Sequence, residues 1–110
     1  MSEIKPVSLL ERRRFALEYD DKIIGAAHFR DFEGATGIER IFFHTTVDEE
    51  YGGQGLASTM VKFALENTIA SGAKIVAVCP YVKNYVAKHR EYDQHLVQPT
   101  KAHLDILPRD

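Results

Sequence analysis

Apolar and polar residues alternate along the first half of the chain and then change period. Arg12–Tyr19 places Phe15, Leu17 and Tyr19 on one face and Arg14, Ala16 and Glu18 on the other, the pattern of a half-buried strand. Asp20-Asp21 before Lys22 predicts a tight hairpin turn, because Asp tolerates left-handed backbone angles. A second strand is expected over Ile23–Arg30, a turn from Glu33-Gly34 to Gly37, and a third strand from about Ile38 to Val47. Three strands with short links make an antiparallel meander. Residues 1–10, which include Pro6, read as a loosely held lead-in.

Beyond Val47 the pattern is different. Asp48–Gly53 is polar and rich in glycine. From Gln54 to Ser71 apolar residues recur at Leu56, Met60, Phe63, Ala64 and Ile69, which is helical spacing, and Gly72 is a natural stop. Lys74–Cys79 is a short apolar run of the kind a central strand covered on both faces shows. Pro80 ends it and fits the first turn of a following helix, expected over Tyr81–Arg90. The tail after Tyr92 holds Pro99 and Pro108 and carries little signal. The expected order is β-β-β-α-β-α. That makes an α+β chain, a mixed α/β sandwich with a mixed and mostly antiparallel sheet, as one domain over residues 1–110.

Composition narrows the chemistry. The 110 residues are 45% hydrophobic, enough for one core. Fourteen Lys and Arg face sixteen Asp and Glu, a net charge of −2, so no global pull toward nucleic acid or an anionic membrane is expected. Arg12-Arg13-Arg14 is the one dense basic run, at an exposed strand start. No run approaches the roughly 20 apolar residues of a membrane helix, and no secretory leader is seen, so a cytoplasmic location is expected. One cysteine and five scattered histidines give no metal-ligand spacing.

The segment from Val47 to Ala57 carries the clearest chemical signal. It lies where a strand ends and a helix begins, with Gly52, Gly53 and Gly55 inside it. Glycines let the backbone approach a ligand closely, and a helix start presents unpaired N–H groups and a positive dipole end. Together they suit a pyrophosphate, with the amides of Gly53, Gln54, Gly55, Leu56 and Ala57 as donors and the Ser58 hydroxyl in the first turn. The same glycines would also serve simply to shape a turn. A P-loop is excluded, because Leu56-Ala57 stands where Lys-Ser/Thr is needed, and three meander strands precede the loop where a dinucleotide fold would need a parallel unit.

Gly52-Gly53-Gln54-Gly55-Leu56-Ala57 resembles the Arg/Gln-x-x-Gly-x-Gly/Ala loop of the GNAT N-acetyltransferase superfamily, matching at Gly55 and Ala57 and departing at Gly52. The element order is similar too. Three further segments resemble a compact GNAT-like subgroup: His44-Thr45-Thr46-Val47, Cys79-Pro80-Tyr81-Val82 with its C-P-[YF]-V pattern, and Lys88-His89-Arg90-Glu91-Tyr92. The helices that usually precede the meander in that superfamily are not seen in this sequence, so an open cleft is expected.

The resemblance implies acetyl-CoA as co-substrate and a primary amine, on a small molecule or a peptide, as acceptor. It implies that Thr46 and Val47 offer main-chain groups to the pantetheine amides, and that a donor there polarises the thioester carbonyl. It sets Cys79 where an Asn often stands, before a helix start whose dipole favours a negative sulfur, and so as a catalytic candidate. His44 is the candidate general base toward the amine. The position of the usual acidic Tyr falls on Val86, with Tyr85 one residue and about 100° away on a helix. Each candidate has a plain alternative. Cys79 also reads as a buried inert thiol, His44 as a hydrogen-bonded strand residue, the Lys88-His89-Arg90 cluster as a solvated helix end, and Tyr81, Tyr85 and Tyr92 as core. Glu49-Glu50 reads as an exposed turn. The functions to separate are therefore an N-acetyltransferase, a non-catalytic acyl-CoA-binding or sensing module, and an interaction domain, each as monomer or homodimer.

Overall fold

The computed structural model describes residues 4–51 and 55–108. Five strands form one sheet in chain order: β1 (Lys5–Leu9), β2 (Arg14–Tyr19), β3 (Lys22–Gly34), β4 (Gly37–Val47) and β5 (Lys74–Ala77). The first four pair antiparallel and β5 joins β4 in parallel. Parallel pairing needs a crossover, and helix α1 (Leu56–Ala70) supplies it. Helix α2 (Pro80–Lys88) follows β5, and a five-residue helix α3 (Lys101–Asp105) lies near the end. No described helix is long and apolar enough to cross a membrane.

The expected mixed, mostly antiparallel sheet is present, with corrections at both ends of the chain. The lead-in holds a strand, β1, which pairs with β2 from Lys5↔Glu18 to Leu9↔Arg14. Pro6 is tolerated there because β1 is an edge strand. Leu10–Arg12 forms a single 3-10 turn, so β2 starts at Arg14 and not at Arg12. The tail is ordered too. The amide of Val97 donates to Ile75 O at 2.8 Å, which lays the tail along the outer edge of β5 before it turns into α3.

The turns follow their residues. Asp20 and Asp21 take φ of 52° and 63°, the left-handed pair that a two-residue hairpin with the right twist requires. Helix α1 ends as Gly72, at φ 84°, donates to Ile69 O and Ala73 donates to Thr68 O, a Schellman closure.

One sheet face packs on α1. Phe15, Phe29 and Phe42 cluster there, with Phe63 of α1 edge-on to Phe15 at 6.1 Å. Arg40 covers the rim of this cluster, its guanidinium 4.3 Å from the Phe29 ring centre and paired to Asp31 at 2.8 Å.

The opposite face is closed by α3 through one buried polar pair. His103 Nε2 lies 2.7 Å from Glu39 Oε1, and both groups are buried. The Thr100 amide donates to His103 Nδ1 at 2.9 Å, so the ring proton sits on Nε2 and is donated to the Glu39 carboxylate. Phe32, directly across from Glu39, meets the His103 ring edge-on. His103→Ala should cost roughly 3 kcal/mol in urea unfolding, because it strands a buried carboxylate. Gly34→Ala should lose a comparable amount, since its Cβ would collide with that same carboxylate. Hydrogen exchange should show both variants losing protection first around α3. Unchanged protection there would show that the pair does not hold the tail.

Candidate functional site

The sheet divides beside β4. β5 pairs with β4 only from Glu39↔Lys74 to Phe42↔Ala77. At that limit the Phe42 carbonyl accepts two amides, Val78 at 3.0 Å and Cys79 at 2.9 Å. Pro80 then starts α2 and draws the chain away. On β4 the next residue, Phe43, is an extra one: His44 stands opposite His28 and Phe42 opposite Phe29, which is a β-bulge. From His44 to Val47 strand β4 pairs with β3 and has no described strand partner on its other side.

Main-chain alternation sets what this bare edge offers. The Asp48 amide donates to Ile24 O at 2.8 Å. Alternate residues therefore turn away from β3, and Thr45 and Val47 direct their N–H and C=O groups into the split. The main chain of Thr46, opposite Ala26, faces β3, and its side chain is exposed.

Cys79 is 6% exposed and occupies the N-cap position of α2 without a side-chain capping bond. Its thiol donates to Thr45 Oγ1 at 3.3 Å, so one side-chain contact bridges the split just past the last paired residue. Thr45 was not singled out from the sequence, because nothing in its neighbours signals a partner 34 residues away.

At the start of α1, Gly55 has φ 71° and open space where a Cβ would stand. Its carbonyl accepts from the Thr59 amide at 3.2 Å, and Gly55, at the N-cap, has no side chain to cap the amides of the first turn. Leu56, Ala57 and Ser58 are partly exposed there. Ser58 Oγ lies 2.8 Å from Tyr81 Oη, which ties the start of α1 to the start of α2. The expected ligand positions Gly52, Gly53 and Gln54 lie outside the described residues. Glu49 and Glu50 are exposed in a 3-10 turn, as expected.

Other candidates have different surroundings. Val86 is buried. Tyr85 stacks on His89 at 4.1 Å, and burial pushes its phenol up, as it does for Tyr92. His89 Nδ1 bonds Tyr85 O at 2.8 Å and Arg90 pairs with Asp93, while Lys88 is exposed. Among the described residues no group of His, Cys, Asp and Glu is placed to hold a metal.

His44 is exposed on the sheet face opposite α1. It continues a row across three strands, since Arg14 stands opposite His28 and His28 opposite His44. The two imidazoles are 5.5 Å apart. Burial, then the charges of Arg14, His44 and Arg30, lower the His28 pKa from its ordinary 6.5. His44 lines a cavity of about 320 Å³ with Phe43, Val78, Leu107 and Pro108.

A family model described as GCN5-related N-acetyl-transferase matches residues 14–96. No curated protein matches the chain. Among solved structures, a GCN5-like protein from Staphylococcus aureus is 24% identical, with a TM-score of 0.60 over 92% of this chain and 93% of that one. A ribosomal-protein-alanine N-acetyltransferase from Brucella melitensis is 20% identical, at 0.57 over 84% and 68%. A predicted acetyltransferase from Clostridium acetobutylicum, solved with acetyl-CoA, is 19% identical, at 0.52 over 88% and 62%. At these identities the likeness is one of fold.

His28 makes the fold sensitive to acid. Because folding opposes its protonation, stability should be full above pH 6.5 and fall as pH drops below it. Urea unfolding at neutral pH and near about pH 5 should show His28→Gln losing less stability on acidification than the parent protein. Equal losses would remove His28 from the balance.

Proposed function

The chain belongs to the GCN5-related N-acetyltransferase family, and we propose that it moves acetyl from acetyl-CoA to a primary amine at the split between β4 and β5. The observation that carries this reading is the edge of β4, bare among the described residues, beside a start of α1 whose N-cap is a glycine. The residues fit the co-substrate. Thr45 and Val47 offer donors and acceptors to the amides of an extended arm, in the manner of an added strand. The first-turn amides of α1, with Gly55 leaving room, suit a pyrophosphate. The glycine loop ahead of Gly55 and the Ser58 hydroxyl complete that cradle in this reading.

The reaction balances simply. The amine nitrogen bonds to the thioester carbon as the carbon–sulfur bond breaks, and the electron pair of that bond leaves on sulfur. Of the two protons that the ammonium gives up, His44 passes one to water and the other ends on the CoA sulfur. A main-chain donor on the β4 edge holds the oxyanion that forms on attack. Cys79, hydrogen-bonded to Thr45, assists at the same point. With Val86 buried at the place of the usual phenol, the thiolate leaves without a dedicated acid. That same feature favours a second reading, an acyl-CoA-binding module without catalysis.

Calorimetry with acetyl-CoA, and thiol release with a panel of amines, test both. Binding with release is expected, and no binding at millimolar ligand would end the assignment. Binding without release across the panel would select the second reading. Gly55→Trp should abolish binding by filling the cradle. Cys79→Ala should keep the acetyl-CoA affinity and lower kcat about tenfold or more if the thiol assists. Unchanged kcat, with no acetyl adduct in the intact mass, would leave Cys79 structural.

A further inference from the structure

The sheet has a second gap, on the other side of β3. Strand β2 begins only at Arg14, opposite His28, and the outermost bond across is from the Phe29 amide to Arg13 O. Beyond it β3 runs on to Gly34 with no described neighbour on that side. A cavity of about 500 Å³ lies at this gap, lined by Leu10, Arg13, Phe29, Arg30, Asp31, Arg40 and Ile106.

The charges of this cavity do not cancel. Arg40 is matched by Asp31 through two hydrogen bonds of 2.8 and 3.1 Å. Arg13 and Arg30 have no carboxylate partner among the described residues, and neither does Arg14 on the adjoining face. Arg30 donates to Phe29 O and lies over the Phe43 ring at 5.4 Å. His28 between these guanidiniums is held toward its neutral form, so the positive charge resides on the arginines.

This cavity adjoins the one that contains His44. Ile106 lines the first, and Leu107 and Pro108 line the second. Arg30 lines the first and covers Phe43, which lines the second. The two cavities therefore lie side by side, with Val78 and His44 lining one and the two unmatched guanidiniums lining the other.

We propose that the acceptor is a small amine bearing a carboxylate or phosphate, with its amine beside His44 and its anion at Arg30 and Arg13. Guanidinium forks match both anions, and charge-assisted bonds are the stronger kind. The assignment rests on the acyl-transfer reading above, and it narrows the acceptor to one class.

The test measures CoA release with acetyl-CoA and matched amines: β-alanine and aminocaproate beside their carboxamides, and phosphoethanolamine beside ethanolamine. An anionic member of at least one pair should exceed its neutral partner by about tenfold or more in kcat/KM, chiefly through KM. Which anion gains more identifies carboxylate or phosphate. Arg30→Gln and Arg13→Gln should each bring that ratio toward one while acetyl-CoA affinity is retained, and Arg30→Lys should restore part of it. Equal rates within every pair, or a preference that survives both substitutions, would overturn the proposal. A protein that turns over no amine would fail the acyl-transfer reading instead. The anion site then stands or falls on an NMR titration with β-alanine and phosphoethanolamine alone. Shifts of the Ile106 methyl and His28 ring signals that vanish in Arg30→Gln would support it, and their absence in the parent protein would refute it.

Discussion

The Phe42 carbonyl is the hinge on which the candidate site turns. It receives both the Val78 and the Cys79 amides, so the parallel pairing of β4 and β5 is spent at that residue. The bulge at Phe43 and the helix that begins at Pro80 then bend the two chains apart. An unpaired strand edge is ordinarily a hazard, since it invites another chain to pair with it. Here the edge is short, flanked by the start of α1, and bridged at its root by the Cys79–Thr45 contact. Such an edge can accept a narrow extended ligand more readily than a second sheet.

The two faces of the sheet have separate tasks. The face under α1 is aromatic and dry, and it fixes the strands that carry the edge. The other face carries Arg14, His28, Arg30 and His44, and it is partly roofed by residues 106–108. Burying a carboxylate to hold that roof is costly unless its partner is well oriented. The His103 ring is oriented from both sides, by the Thr100 amide at Nδ1 and by Glu39 at Nε2. The tail thus shapes the two cavities although it forms no strand of the sheet.

Local chemistry was legible in the sequence where it determined the backbone. Asp20-Asp21, Gly72 and Pro80 each imposed the conformation that their residue types favour. The meander and α1 followed from period, and β5 from its continuous apolar run, although it ends the strand order where that run suggested a central strand. Strand β1 was hidden because five residues beginning Lys-Pro show too little alternation to stand out. Helix α3 was hidden because it is held by a pair 64 residues apart in sequence. In the candidate site, Cys79, His44 and Val47 could be singled out from sequence. The main-chain directions of Thr45 and Thr46 could not be read, because they depend on a register that one extra residue at Phe43 shifts. Arg13 and Arg14 were visible as a basic run, but only the fold brings Arg30 beside them.

The order of the strands bears on how the site comes into being. Strands β1 to β4 are a run of adjacent hairpins, and contacts between near neighbours in sequence form quickly. β5 joins only after the chain has travelled out through α1 and back, and it adds four residues to the sheet. The cleft lies along this late seam. A fluctuation that released β5 and α2 would erase the cleft while leaving the meander standing, because cooperative units of unequal stability can open separately. Catalytic competence would then report on the docking of one short strand, and heat or denaturant could silence the protein before its bulk unfolds.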